Sequence, residues 1–322
     1  ASDVYKRQPV GCILGDAYHR LGLWQRAAAI YGSAASAGPG WREAHYGLHV
    51  KVRGQRYAEH DVGSSSDYAS AFTRLKVDSS LVLPESSRWA REGVRLGRAL
   101  LQYKQGDFAD ALPVLEELAK RYPFDPFLDA HVRFTAAGQR AVGEEALRAK
   151  REKDVVRPKA EVETTRGSFV IELFPQDADN TVKNFVYLAQ KNFYDGLTFH
   201  RTVPFFLVQT GDPHTREGAK TPGATGTGTP GYAIRSERNR RRMLRGAVVM
   251  ASAGQDTEGS QFYVLTGTAM HLQGEQTVFG RVLQGQDVVD ALRQGDRIVK
   301  VTLRDLDPKA RYVPITVAGR EP

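Results

Sequence analysis

The segment from Phe199 to Asp212 carries an arginine, Arg201, and an amide, Gln209, on either side of an apolar and aromatic stretch. An arginine guanidinium is always charged and donates hydrogen bonds in a rigid fork, so it can stabilise a lone pair that develops during a reaction. Each residue also has an ordinary interpretation, because Arg201 can form an ion pair at a strand edge and Phe206 can be a core aromatic. The segment alone therefore does not assign a chemistry.

Two further patterns resemble cofactor or metal sites only superficially. The glycines from Gly226 to Gly231 match G-x-G-x-x-G, but a dinucleotide site needs such a loop between a strand and a helix. Pro230 and a strand-like run, 232–234, follow instead. His45 and His49 lie four residues apart on a predicted helix, yet no third metal ligand accompanies them. We therefore predict neither a nucleotide cofactor nor a metal.

Positive charge is the third candidate chemistry. The net charge is +8, the sequence pI is near 9.5, and six arginines lie in the run from Arg235 to Arg245. Such a run can bind phosphates or acidic partners. No aromatic residues interleave with these arginines, as a platform for single-stranded nucleic acid requires. We predict a solvated loop and no nucleic-acid partner.

Four blocks of sequence together resemble one known family. The segment from Phe199 to Asp212 resembles the signature of the cyclophilin-type peptidyl-prolyl cis/trans isomerases. Met250–Gly254, Gly259–Val264 and Thr277–Val282 resemble the family's next three blocks, in the same order and spacing. The resemblance extends over residues 160–318 and implies an enzyme that isomerises X-Pro bonds and assists protein folding. Its implied substrates are proline-containing polypeptides, and it implies no cofactor.

The resemblance also implies catalytic roles for Arg201 and Gln209. Rotation about a peptide bond has a barrier of about 18–20 kcal/mol, and at its top the twisted nitrogen regains a lone pair. A fixed cation that hydrogen-bonds this nitrogen stabilises the twisted state more than either planar state. By resemblance Arg201 is that cation and Gln209 holds the rotating carbonyl. No covalent bond breaks, so no nucleophile is required.

A second group of residues is implied to bind the substrate. Phe206, Leu207, Tyr263 and Leu272 match the apolar socket for the proline ring, Ala251, Ser252 and Gln261 match the rim that binds the substrate backbone, and His271 and Gln276 match further pocket positions. Departures from the common residues are Leu207 for methionine, Ser252 for asparagine, Tyr263 for phenylalanine, His271 for tryptophan and Gln276 for histidine. Leucine conserves the volume of methionine, so turnover is expected to survive, whereas His271 is expected to weaken cyclosporin binding.

The periodicity of residues 160–318 predicts the elements that position this site. Residues 162–173 alternate around a glycine turn, as a hairpin does. An amphipathic helix follows and is predicted to be capped by Asn180 or Thr181. Many short strands and two helices predict a closed, antiparallel, eight-stranded barrel capped by two helices. The later strands are predicted at Gly246–Met250, Gln261–Leu265, Thr277–Val282 and Ile298–Leu306.

The N-terminal region is predicted to be all α-helical. Residues 9–150 resemble a degenerate array of tetratricopeptide repeats, helix-turn-helix units of about 34 residues. One copy runs from Leu14 to Pro39, and a weaker one turns at Gly106–Phe108 and ends at Pro123. We expect these repeats to form a groove for a protein partner, with a helical scaffold as the alternative. A charged linker, 151–159, is predicted before the barrel.

The first residues bear on where the protein acts. Residues 1–8 are expected to be a disordered leader or sequence foreign to the protein, because they resemble a translated library adaptor. No apolar run reaches the roughly 18 residues of a transmembrane helix. The cytoplasm is the expected compartment. The cell envelope remains the alternative, because the natural N-terminus would be missing if residues 1–8 are foreign to the protein.

Two functions are open at this point. One is a bacterial isomerase whose helical repeats recruit a substrate or partner. The other is a non-catalytic scaffold that keeps the same fold in order to bind X-Pro segments. The joint presence of Arg201, Phe206 and Gln209 favours the enzyme, since a scaffold has no need of a cation aimed at the peptide nitrogen.

Overall fold

The structure is a computed structural model that describes residues 88–123, 126–203, 205–218 and 225–322. Residue contacts divide the described chain into two units, one of residues 88–103 and 107–139 and the other of residues 104–106 and 140–322. Along the chain the elements are α1 (Arg88–Gln105), α2 (Phe108–Arg121), α3 (Pro126–Arg151), β1 (Lys159–Thr164), β2 (Gly167–Leu173), α4 (Asp179–Gln190), β3 (Arg201–Val203), β4 (Leu207–Thr210), β5 (Ala247–Met250), β6 (Phe262–Leu265), β7 (Val278–Gln284), α5 (Gln286–Ala291) and β8 (Ile298–Arg304).

The first unit is built from α1, α2 and the first part of α3. The helices are amphipathic, and the sides that carry Leu96 on α1 and Leu115 on α2 are fully buried. Tyr103 and Phe108 meet between these two helices, with ring centroids 5.9 Å apart. Gly138 lets α3 approach closely, since a methyl group there would lie 2.5 Å from the Phe108 ring. This unit therefore has an apolar core of its own.

The described part of the N-terminal region is helical, as predicted. The repeat copy that turns at Gly106–Phe108 coincides with the turn between α1 and α2, where Gly106 has a φ of 94°. Only glycine adopts that backbone conformation without strain. Outside the described residues lie the copy from Leu14 to Pro39, residues 1–8, and His45 and His49.

The second unit contains one antiparallel sheet of eight strands in the order β3-β4-β6-β5-β7-β2-β1-β8. The strand count and the antiparallel pairing were predicted, but the predicted closure is wrong. β3 and β8 end the strand order without pairing as strands, and the residues before them meet at a single bridge between Thr198 and Arg297. β3 is only three residues long, so it offers little backbone for a further ladder. The barrel is therefore open along this seam.

Alternation along the central strands separates two apolar clusters. On β6, Phe262 and Val264 belong to the main core, whereas Tyr263 belongs to a second cluster on the opposite face. The helix α4 fills the main core from one side, where the ring of Phe185 meets that of Phe262 edge-on at 5.5 Å. The second cluster, called the outer cluster below, consists of Leu207, Met243, Ala247, Val249, Tyr263, Leu265, Ala269 and Val278.

The helix α4 is capped by a residue distant in the sequence. The backbone N–H groups of Asn180 and Thr181 donate to the carboxylate of Glu237, at 3.0 and 2.7 Å. The Thr181 hydroxyl donates to the same carboxylate at 2.7 Å. The prediction that Asn180 or Thr181 caps the helix is therefore wrong. A carboxylate interacts more strongly with the positive end of a helix dipole than a neutral side chain does.

The basic run predicted to be a solvated loop is partly internal. Arg241 is 3% exposed, and its guanidinium lies among three carboxylates. Its Nε donates to Asp177 at 2.8 Å, and its Nη atoms lie 3.4 Å from Glu145 and 3.1 Å from Glu152. The guanidinium carbon also lies 3.9 Å from the ring centroid of Phe174. The charge of Arg241 thus stabilises the fold through contacts within the protein.

These contacts attach the end of α3 and the segment after it to the sheet. The side chain of Arg157 is 5% exposed, pairs with Glu152 and lies 3.5 Å from Glu172 on β2. Arg242 pairs with Glu144 on α3. Through the ion pairs of Glu152 and Arg157, the segment predicted as a linker is held to the barrel unit.

We expect Arg241→Met to lower the free energy of unfolding by about 3 kcal/mol, because it removes the buried cation that three partly buried carboxylates share. Methionine retains much of the apolar volume, so the loss reports mainly on charge. Denaturant unfolding of the full chain measures it. Arg242→Met is the matched control and should cost less than about 1 kcal/mol, since its partner is half exposed. Equal losses for the two variants would contradict the assignment of Arg241 as the central cation.

Candidate active site

Four strands bring the central site residues into one row. The antiparallel register pairs Arg201 on β3 with Gln209 on β4, Gln209 with Tyr263 on β6, and Tyr263 with Val249 on β5. Residues paired in this way point to the same face of a sheet, which here is the face of the outer cluster. The pairing thereby fixes the position of a cation on the edge strand relative to the buried apolar cluster two strands away.

A directional chain of hydrogen bonds begins at Arg201. Its Nη1 donates to Gln209 Oε1 at 3.3 Å, and Gln209 Nε2 donates to Gln261 Oε1 at 3.0 Å. Gln261 Nε2 in turn donates to two backbone carbonyls, those of Gly226 at 3.1 Å and Gly228 at 2.9 Å. The guanidinium is exposed, and it is oriented by the amides behind it.

The predicted socket residues converge on the outer cluster. Leu207 and Tyr263 are buried members of it, at 2% and 6% exposure. Phe206, Ala251 and Leu272 pack against the cluster and are only partly buried. An apolar surface of this kind, next to an oriented cation, suits a ligand that has an apolar ring beside a polar amide.

The turn after β3 sets the direction of Phe206. Phe205 adopts a φ of 53°, in the left-handed region where a non-glycine residue is strained. Phe206 is then held at both backbone atoms, since its N–H donates to Val203 at 3.1 Å and its carbonyl accepts from Thr266 at 3.0 Å. The exposed ring of His271 lies 5.7 Å from the Phe206 ring, at an interplanar angle of 35°. His271 therefore extends the aromatic surface of Phe206.

The remaining predicted residues adjoin the row at its other end. The backbone N–H of Ala251 donates to the carbonyl of Gln261 at 2.9 Å. The next residue, Ser252, donates through its hydroxyl to Gln276 Oε1 at 3.4 Å. The predicted site residues are thus connected to the row or to the outer cluster, some directly and Ser252, Gln276 and His271 through a neighbouring site residue, although the segments that carry them are far apart in the sequence.

Arg201 is the group in this row that carries positive charge at neutral pH. Burial lowers the pKa of the neighbouring His200; Asp212 opposes this effect and Arg201 reinforces it. Burial also raises the pKa of Tyr263, although Arg201 acts against that rise. The imidazole is therefore neutral and the phenol stays protonated, so neither competes with the guanidinium for an incoming acceptor.

Sequence reasoning missed a buried carboxyl group, Glu258, in the loop after the rim residues. It is 1% exposed, and the Thr277 hydroxyl donates to its Oε1 at 2.7 Å. Burial raises the pKa of Glu258 to about 7; hydrogen bonds from Thr277 and Ser236 lower it, and the charges of Glu237 and Asp256 raise it. No local pattern marks such a residue, because its burial is created by strands distant in sequence.

The ionisation of Glu258 should make the protein less stable as pH rises. A carboxyl whose pKa is raised on folding contributes stability that is present below its unfolded pKa, near 4.5, and is lost as pH rises through about 7. Relative to Glu258→Gln, the wild type should lose up to about 3 kcal/mol between pH 5 and pH 8. Urea unfolding of both proteins at each pH measures the difference. Curves that stay parallel across this range would contradict the assignment.

Sequence reasoning also missed the buried carboxylate of Asp212, which the loop glycines Gly226 and Gly228 approach. Gly226 and Gly231 have φ values of 95° and 94°, and a Cβ on Gly228 would lie 2.0 Å from Asp212 Oδ1. The glycine pattern of the sequence therefore has a geometric cause, two left-handed turns and one close approach to a carboxylate. The G-x-G-x-x-G match was the signal in the sequence that could have pointed to this loop.

Two other kinds of site, a metal centre and a membrane-spanning helix, have no counterpart in the part of the chain that the structure describes. Within those residues, no group of three histidine, cysteine, aspartate or glutamate side chains converges as metal ligands would. None of the described helices has the length and apolar character that crossing a membrane requires.

Comparison with known proteins gives two family matches. Residues 159–318 match the family described as cyclophilin type peptidyl-prolyl cis-trans isomerase/CLD. Residues 94–125, which include most of α1 and all of α2, match a tetratricopeptide repeat family. The first match coincides with the sheet unit from β1 onward and contains every residue of the row.

Several curated relatives are similar to the same region. A peptidyl-prolyl cis-trans isomerase of Synechococcus elongatus is 45% identical over 144 residues, which are 44% of this chain and 93% of that protein. Peptidyl-prolyl cis-trans isomerase B of Bacillus subtilis is 45% identical over 132 residues, 40% of this chain and 86% of that protein. Peptidyl-prolyl cis-trans isomerase-like 1 of Aspergillus oryzae is 38% identical over 137 residues, 40% of this chain and 78% of that protein. Similar proteins therefore occur in both bacteria and fungi.

Proposed function

The chain belongs to the cyclophilin-type peptidyl-prolyl cis-trans isomerase family, and on that premise we propose that it isomerises X-Pro bonds at the surface between Arg201 and the outer cluster. One observation supports the assignment of this activity to particular residues. The exposed guanidinium of Arg201 is tied to Gln209 at 3.3 Å, one strand away from the buried Tyr263. A proline ring on the apolar side would bring its own peptide nitrogen towards the cation.

The catalytic step is the stabilisation of a twisted amide. The planar peptide resists rotation by about 18–20 kcal/mol because twisting removes its resonance. The twisted nitrogen has a localised lone pair and becomes a hydrogen-bond acceptor. An N–H of Arg201 can donate to it, and this hydrogen bond is stronger in the twisted state than in either planar state. No proton or group is transferred. The chemistry therefore depends on how well the guanidinium is held.

The residues around Arg201 bind the other parts of the substrate. A carboxamide nitrogen carries two hydrogens, so Gln209 can donate one to Gln261 and the other to the rotating carbonyl of the substrate. Phe206, Leu207, Tyr263 and Leu272 receive the proline ring, with His271 extending that surface. Ala251, Ser252, Gln261 and Gln276 form the rim along which the substrate backbone lies.

The helical unit is proposed to recruit a protein partner or substrate. The match of residues 94–125 to a tetratricopeptide repeat and the amphipathic pair α1 and α2 support a role in protein interaction. We further propose that the isomerase domain begins near Arg140, within α3, rather than at residue 160. Arg241 and Arg157 support this boundary, because their buried charges depend on Glu145 and Glu152.

Arg201→Ala tests the proposed function most directly. Loss of one preorganised donor should lower kcat/KM for a proline peptide by on the order of 10²- to 10³-fold. Thermal stability should hardly change, because the side chain is exposed. A protease-coupled peptide assay measures turnover. Arg304→Ala, which removes an exposed strand arginine paired with Glu161, is the control and should keep full activity. Full activity of Arg201→Ala would disprove the catalytic role, and tight peptide binding by an inactive wild type would favour the scaffold.

The residue at position 271 should set sensitivity to cyclosporin without setting turnover. Tryptophan offers more apolar area than histidine and always carries a ring N–H donor. His271→Trp should therefore strengthen inhibition about tenfold while kcat/KM for the peptide stays within about twofold. The same peptide assay, run with increasing cyclosporin, gives both numbers. Equal inhibition of the two proteins would show that this ring does not limit inhibitor binding.

A further inference from the structure

Asp212 is a buried carboxylate that holds a loop rather than a cation. It follows β4 and is 0% exposed. Its Oδ1 accepts from the backbone N–H of His214 at 2.7 Å, and its Oδ2 accepts from the backbone N–H of Gly226. The ring nitrogen Nδ1 of His214 lies 3.8 Å from the same carboxylate. Backbone donors therefore satisfy a charge that burial would otherwise make costly.

The same loop fixes the direction of the amide of Gln261. Backbone carbonyls can only accept hydrogen bonds, so the carbonyls of Gly226 and Gly228 require the NH₂ end of the Gln261 side chain. Gln261 Oε1 must then face Gln209, which accordingly turns its own NH₂ end to Gln261. Gln209 Oε1 is left facing Arg201, a group that can only donate. The direction of each amide is thus imposed by the one behind it.

Two glycines bring the loop backbone close to both Asp212 and Gln261. Gly228 is buried against Asp212, where an added Cβ would lie 2.0 Å from the carboxylate oxygen and 2.9 Å from Pro213. Gly226 adopts a φ of 95°, which allows its N–H to reach Asp212 while its carbonyl reaches Gln261. One short stretch of backbone therefore joins the buried carboxylate to the amide chain.

We propose that Asp212, acting through the backbone of Gly226 and Gly228 and the amide of Gln261, is a positioning residue that orients Gln209 and Arg201 for catalysis. This inference rests on the proposed function of Arg201. Asp212 touches neither the substrate surface nor Arg201; it sets which end of each amide faces forward. Its loss should lower kcat more than it raises KM, since the misplaced group acts in the transition state.

A double-mutant cycle in the full chain tests the connection. Asp212→Asn preserves volume but presents an NH₂ group to backbone donors, and Gln261→Leu cuts the amide chain. Each should lower kcat about tenfold, as expected for a misplaced catalytic group. The double variant should be no slower than the worse single variant, because both act along one path. Losses that multiply would overturn the proposal and leave Asp212 with a structural role only.

Two glycines of the loop provide a matched pair should Asp212→Asn fail to fold. Gly226 and Gly231 have nearly equal positive φ values, 95° and 94°, and an added Cβ meets nothing within 4 Å at either. Alanine therefore imposes similar backbone strain at both, but only Gly226 contacts Asp212 and Gln261. Gly226→Ala should lower kcat about tenfold while Gly231→Ala leaves it within about twofold. Equal effects would overturn the proposal.

A spectroscopic readout separates this proposal from the proposed function. With glutamine side chains isotopically labelled, the two Nε2 proton resonances of Gln261 should lie at hydrogen-bonded positions in the wild type. They should move towards free-amide positions in Gly226→Ala and not in Gly231→Ala. A wild type without peptide turnover would defeat the proposed function, and the resonances would still decide the amide arrangement. Unchanged resonances in Gly226→Ala would defeat the positioning role even in an active enzyme.

Discussion

The antiparallel pairing of β3, β4, β6 and β5 is the interaction on which the site depends. Because side chains alternate across a strand, the pairing that buries Val208 and Phe262 in the main core must turn Gln209 and Tyr263 outwards. A slip of one residue would exchange the two faces and destroy both the core and the site. The geometry of the row is therefore protected by the hydrophobic energy of the core, which is far larger than that of the hydrogen bonds in the row.

An exposed cation such as Arg201 needs support from behind to keep one orientation, and here the support is a series of one-way hydrogen bonds. A guanidinium can only donate and a carbonyl can only accept, so the two ends of the chain from Arg201 to Gly228 are chemically fixed. The two amides between them could each face either way in isolation. Their joint direction follows from these ends. This is how a flexible, exposed arginine acquires a defined orientation without being buried.

Charges that are wholly or partly buried are compensated in three different ways in this unit. Arg241 is surrounded by carboxylates, Asp212 by backbone N–H groups, and Glu237 by the first N–H groups of α4. The contacts of Arg241 and Glu237 tie together segments far apart in the chain, and leaving such charges uncompensated would be costly. Glu258 is the exception, since burial raises its pKa to about 7 instead.

The sequence by itself determined the family and the number and pairing sense of the strands, and by resemblance it predicted Arg201, Gln209 and Tyr263, which the structure brings into one row. These follow from alternation in short segments and from four blocks whose order is specific. It also predicted the helical character of α1 to α3.

Closure of the barrel was predicted wrongly, because whether β3 and β8 pair depends on strand length at a seam that no local pattern describes. The basic run was predicted as a solvated loop for a similar reason. Only the tertiary structure decided that Arg241 is internal, that Glu237 caps α4, and that Asp212 reaches Gln261 through glycine carbonyls. Each of these joins groups far apart in the sequence, and the sign and burial of a charge depend on what the folded chain brings beside it.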